Sequence, residues 1–225
     1  MKKLFEQFDK QLQANGVRAT KGQLINASFV DVPKQRNNRE ENKQIKKGEN
    51  PDSFKEIPAK LRQKDTDARW TKKNNETHYG YKNHVNADHG NKIICDYEVT
   101  SAEVHDRDVL DDILTENTSR DVYADIAYRS KGQEQRLAES GHRMRIIKKG
   151  HQNRPLTTRD KAAKQTKSKA RVRVEPIFGS TTNEQNGLYF KMIGVSRIKG
   201  RIGLMNLVYN MHRFVRLDRM NPSTI

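Results

Sequence analysis

A single cysteine, Cys95, occurs among 225 residues. It lies in the apolar run Lys92-Ile93-Ile94-Cys95-Asp96-Tyr97, so an internal disulfide is excluded and a buried strand thiol in a reducing compartment is expected. No apolar run approaches the length of a membrane span, and the N-terminus lacks a signal-peptide core. A cytoplasmic, nucleoid-associated protein that makes no use of a membrane follows as the expectation. There is no Gly-rich phosphate loop and no dinucleotide-binding fingerprint. The 7 histidines and one cysteine fall into no zinc spacing. Acids are also scarce relative to bases: 28 Asp and Glu stand against 44 Lys and Arg, a net charge of +16. With a pI near 9.9, the expected partner is an anionic polymer, and double-stranded DNA is the foremost one.

What is present reads as one domain. Hydrophobic residues make up 33% and charged residues 32%, a lean core interrupted by polar segments. Leu4, Phe5, Phe8 and Leu12 recur at helical spacing, with Gly16 where a helix stops. Gly22 to Val30 reads as a buried strand with one polar residue, Asn26, at its centre. Residues 34–77 read as a polar insertion. From His78 a strand puts Tyr79, Tyr81, Asn83 and Val85 on one face, and Asp88-His89-Gly90-Asn91 is a hairpin turn before the return strand Ile93 to Thr100. His105 and Asp106 cap a short helix, Asp121 to Tyr128 reads as a strand, and Ser130 caps a further helix. A short strand from Met144 to Lys148 precedes the main cluster of bases in the stretch Arg143 to Arg173, in which Asp160 is the one acid. The last helix, residues 200–218, carries Leu204, Leu207, Val208, Met211, Phe214 and Val215 on one face. Early strands followed by alternating helices and strands predict an α/β fold, a mixed sheet flanked by helices.

Strand acid, strand acid, then a glutamate among bases is the layout of a two-metal phosphoryl-transfer site. Asp125 fits a strand-end carboxylate. Glu175, in Arg171-Val172-Arg173-Val174-Glu175, is the only acid between Asp160 and Glu184. The plain alternatives are Asp125 as a helix cap and Glu175 as a partner of Arg171.

Lys64–Lys73, His78–His84, Val122–Asp125 with Ala127–Ser130, Arg171–Glu175 and Tyr209–Met211 together resemble the bacterial insertion-sequence transposases of the Asp-Asp-Glu (DDE) type, in the family named after insertion sequence five. The resemblance runs over essentially the whole chain. It implies a ribonuclease H-like fold with a polar insertion after the first strand, and a single DDE catalytic domain over residues 1–225. It further implies Mg²⁺-dependent cutting and joining of element ends, two metal ions (Mn²⁺ being the substitute), and assembly with itself or an intact transposase. The first catalytic acid corresponds to Asn26, the second to Asp125 and the third to Glu175, with Asp125 and Glu175 as the metal ligands. Asp65 and Asp67 are read as structural or DNA-proximal. Lys148, Lys149, Lys167, Lys169, Arg171 and Arg173, within the basic stretch 143–173, are the expected DNA contacts.

Three positions depart from the family's pattern. Asn26 replaces an aspartate, Pro176 a histidine, and Thr182 a lysine two turns beyond the glutamate; Arg171 is kept. Pro176 suits the opening of a helix, which would put Glu175 at its edge. Only a short helix precedes the first catalytic strand, where the family carries a longer helical region. An N-terminally truncated copy with an impaired centre is therefore expected. Its rivals are a non-catalytic DNA-binding remnant and a nuclease on the same fold.

Overall fold

The computed structural model describes residues 1–17, 21–73, 75–115, 119–128, 130–146, 157–185 and 187–220, with the side chains of residues 169–171 left aside. The elements run α1 (Lys2–Ala14), β1 (Gln23–Asp31), α2 (Arg39–Lys46), α3 (Asp52–Lys55), α4 (Pro58–Gln63), β2 (Arg69–Lys73), β3 (Glu76–Asp88), β4 (Ile94–Ser101), α5 (Leu110–Ile113), β5 (Asp121–Tyr123), α6 (Lys131–Glu139), β6 (Arg143–Met144), α7 (Thr158–Val172), α8 (Glu175–Asn183) and α9 (Val195–Met220). The six strands form one mixed sheet in the order β2-β3-β1-β5-β6, with β4 also paired to β3. β1 is antiparallel to β3 and parallel to β5, so it joins the hairpin half of the sheet to the crossover half.

Two cores cover the two faces. Leu24 and Val30 of β1, and Tyr79, Tyr81, Val85 and Ala87 of β3, pack with Phe5 of α1, Val174 and Ile177, and Ile198, Ile202, Met205 and Tyr209 of α9. Ile25, Val122 and Ala124 face the other way, against Val109, Leu110, Ile113, Tyr128 and Leu137. The alternation along β1 and β3 is the period of two that the sequence shows. Polar pairs pin the long last helix. Asn83 and Asn206 exchange amide hydrogen bonds at 3.1 and 3.3 Å, and Asn210 both donates to the Ile94 carbonyl at 2.8 Å and accepts its N–H at 2.9 Å. Gly80, at φ +150, lies where β3 crosses β1; a Cβ there would stand 2.2 Å from the Val30 carbonyl oxygen, so no side chain fits.

Several boundaries differ from the sequence reading. The strand expected from Asp121 to Tyr128 stops at Tyr123, and Ile126–Tyr128 is a 3₁₀ turn. Asp125 causes this: its carboxylate accepts the N–H of Ile126 at 2.7 Å and its carbonyl accepts that of Tyr128 at 3.0 Å, which closes a turn. The strand expected from Met144 to Lys148 is Arg143–Met144 within the described residues. The last helix starts at Val195, ahead of the expected residue 200. Ser130 and His105 cap as expected, accepting from the N–H groups of Gln133 and Arg107.

Candidate active site

β1 and β5 pair in parallel with Gln23 opposite Val122 and Leu24 opposite Tyr123. Asn26 lies two residues beyond Leu24 within β1, and Asp125 two residues beyond Tyr123, past the end of β5. Asn26 shares the strand face of Leu24, whose core also takes up Tyr123, while Asp125 stands in the turn that follows β5. Val174 and Ile177, flanking Glu175 and Pro176, are buried in that core too. Glu175 thus opens a helix that lies on the Asn26 side of the sheet. It is exposed, whereas Asn26 and Asp125 are half-buried.

Glu175 is the first residue of α8 and Pro176 the second. The first four N–H groups of a helix have no partner within it, so proline costs no hydrogen bond there and its fixed φ favours the start. The expectation that Pro176 opens a helix with Glu175 at its edge holds. Thr182, seven residues on, is on the same flank and is exposed.

The side-chain amide oxygen of Asn26 accepts the N–H of Ala27 at 2.9 Å. Behind Asp125, the buried Tyr128 hydroxyl has its pKa raised well above the usual range, by burial first and then by Asp106 and Asp125.

Of the expected DNA contacts, Lys148 and Lys149 lie outside the described residues, as do the side chains of Lys169 and Arg171. Lys167 donates to the Ile146 carbonyl at 2.9 Å. Arg173 turns to the β3–β4 hairpin and donates to the Gly90 carbonyl at 3.1 Å. The bases from Arg159 to Lys164 stand on the exposed part of α7.

Asp65 is 1% exposed. It accepts the Tyr81 hydroxyl at 2.7 Å, the N–H groups of Asp67 and Ala68 at 3.0 and 2.9 Å, and that of Gly194 at 3.1 Å. Asp67 accepts the N–H of Val195 at 3.2 Å. The two acids thus cap the positive end of α9 from across the chain. His78 stacks on Phe29 at 4.0 Å and bonds Asp31 at 3.3 Å, while buried His84 shares a hydrogen bond with Thr100 at 2.9 Å. Sequence reasoning missed a further set of bases, Lys92, Arg213 and Arg216, which meet around one cleft. Their separation along the chain left no local signal.

Residues 20–211 match the family model for the transposase DDE domain. The chain belongs to the DDE transposases. No solved structure matches it. The six-stranded mixed sheet with helices on both faces is consistent with the ribonuclease H-like fold of DDE transposase domains. The family's activity is DNA transposition, which implies DNA binding and the cutting and transfer of strands, generally with a divalent metal. Among the described residues no helix is long and apolar enough to cross a membrane.

The residues expected to hold such a metal in this transposase fit it in part. Among the described residues no three His, Cys, Asp or Glu side chains form a metal-holding group. Asn26, Asp125 and Glu175 offer oxygen donors of the hard type that Mg²⁺ prefers. Two carboxylates match the charge of one divalent cation and fall short of two.

Proposed function

We propose that this transposase is of the insertion-sequence-five type, that Asn26, Asp125 and Glu175 are its catalytic positions, and that Asn26 leaves it impaired. The observation that carries the reading is the parallel pairing of β1 with β5, in which Gln23 lies opposite Val122 and Leu24 opposite Tyr123, the residues that lead into Asn26 and Asp125. The burial of Val174 and Ile177 in the core beneath Asn26 supports Glu175 as the third position.

In this reading Asp125 and Glu175 hold Mg²⁺. A bound cation activates the attacking oxygen and stabilises the leaving one in phosphoryl transfer. Asp125 is oriented by the N–H of Ile126, and Glu175 by the rigid first turn of α8. Asn26 contributes a neutral carbonyl already hydrogen-bonded to Ala27, and its NH₂ presents a positive edge where the family has negative charge. Thr182 adds no cation to the Glu175 flank. The exposed bases of α7 carry the DNA backbone.

The test is Asn26→Asp. Nicking of supercoiled DNA in Mg²⁺ should rise at least about tenfold over wild type, equivalent to about 1.4 kcal/mol of barrier. Mn²⁺ affinity, read by electron paramagnetic resonance, should rise with it. Both gains should vanish in Asn26→Asp/Asp125→Ala. Equal nicking by wild type and Asn26→Asp sinks the assignment of Asn26 as the first-acid position. A wild type that binds DNA, with an Asn26→Asp variant that binds Mn²⁺ no better and cuts nothing, favours the non-catalytic remnant.

A further inference from the structure

The turn between β3 and β4 is held by groups from distant parts of the chain. Three successive carbonyls each take a donor: Gly90 from Arg173 at 3.1 Å, Asn91 from the Nε of Arg213 at 2.6 Å, and Lys92 from the Tyr209 hydroxyl at 2.8 Å. Beside this turn, between α8 and α9, is a cleft of about 170 Å³ whose walls include Lys92, Arg213, Arg216, His212 and Glu184. That volume is several times the roughly 30 Å³ share of one water.

The charges do not balance. Glu184 is the one acid in the cleft wall, and it is committed to Arg216 at 3.1 Å, to Ser180 at 2.5 Å and to His212 at 3.7 Å. Lys92 and Arg213 have no carboxylate partner among the described residues. Arg173 adds a further cation, and its Nε is buried without a hydrogen-bond partner among the described residues. The ammonium of Lys92 is shifted below the usual lysine range by burial first, then by Arg213 and Arg173. Bonding to carbonyls accounts for one N–H of each arginine. It does not account for Lys92, which holds φ +59, a conformation that asparagine or glycine adopts more readily. Cations gathered this closely repel one another until an anion enters.

Pro176 and Ser180 bring one flank of α8 into the cleft wall. The other flank carries Glu175 and Thr182. A strand crossing the first turn of the helix meets both. We propose that this cleft is a phosphate site for the DNA backbone, built by Lys92 and Arg213 with Arg173 and Arg216 around them, on the side of α8 away from Glu175. The proposal rests on the reading of the chain as a DNA-handling transposase and adds a contact outside the α7 bases.

The experiment compares the full chain with Lys92→Asn, which keeps a residue tolerant of positive φ and leaves the carbonyl bonds intact. Lys92→Gly serves if the asparagine variant does not fold, and Lys46→Gln, on the exposed side of α2, is the charge-matched control. Duplex DNA affinity is measured by fluorescence anisotropy between about 50 and 200 mM salt. Loss of one phosphate contact should flatten the plot of log K against log salt by about 0.9 in Lys92→Asn and not in Lys46→Gln. Binding of inorganic phosphate, followed by ³¹P line width, is the second arm. Wild type and Lys92→Asn with equal salt slopes overturn the cleft and leave the DNA reading standing. A wild type that binds no duplex fails the DNA reading itself. In that case Lys92-dependent broadening by inorganic phosphate overturns the DNA assignment in favour of a free-phosphate site, and no broadening overturns the site altogether.

Discussion

The segment after β1 and the sheet region around Asn26 and Asp125 use polar side chains in opposite ways. In the first region carboxylates are spent on the protein. Asp65 takes four donors from three parts of the chain. Glu41 closes a capping box with Asn38 at the start of α2 and also accepts Ser53 of α3 and Lys60 of α4, both at 2.8 Å. Apolar burial in α2–α4 is thin, with Ile45 and Phe54 as its buried side chains, so polar knots supply the order. Around Asn26 and Asp125 the burden falls on the apolar cores beneath, and the half-buried Asp125 carboxylate accepts the adjacent N–H of Ile126 within a local turn. An acid's donors, more than its neighbours in sequence, show whether it is structural or available to a ligand.

The sharpest way to break this contrast is Asp65→Ala. It strands the buried Tyr81 hydroxyl and three N–H groups, at roughly 1–3 kcal/mol for each group left truly unsatisfied. Urea unfolding should show a loss of at least about 3 kcal/mol. A loss under about 1 kcal/mol would mean that the knot is solvated rather than structural.

Acid probes the same region more gently. The Lys60 ammonium, ahead of bonds from Asn38 and Ser53, lowers the Glu41 carboxyl from 4.5 to about 2 against the opposing effect of burial. A lowered carboxylate stabilises the fold above its unfolded pKa, and that contribution is lost as pH falls through the folded value. Amide exchange in α2 and α4 should therefore rise as pH drops from about 4.5 towards 2, ahead of β1 and β3, after correction for intrinsic rates. Glu41→Gln should abolish that pH dependence. Exchange that rises equally across the sheet would remove the distinction between the two regions.

Asp125→Ala should change stability least, by less than about 1 kcal/mol in urea, because the half-buried carboxylate's own short bond closes a local turn. It should nonetheless remove the Mn²⁺ response gained by Asn26→Asp. A large loss of stability would make Asp125 a second structural knot.

Much of the frame is legible in the residue order. The alternation in Tyr79 to Val85, the hairpin at Asp88 to Asn91, and the caps at Ser130 and His105 are local patterns with one physical solution each. The end of β5 is not legible in the same way, because the apolar residues Ile126 and Ala127 suit a strand as well as a turn. The capping box of Asn38 and Glu41 is readable in the sequence, but α2–α4 also depend on Ser53, Lys60 and Lys64 reaching across the segment.

The sequence by itself determined the charge, the strand and helix periods, and the lone polar residue Asn26 at the centre of a buried strand, since these depend on residue identity and near neighbours. Only the tertiary structure decided that β1 runs parallel beside β5, that Asp65 belongs to α9, and that Lys92 meets Arg213. Those relations join residues far apart in the chain. Sheet register and helix docking fix them by burying apolar surface on both faces at once, which no local spacing encodes.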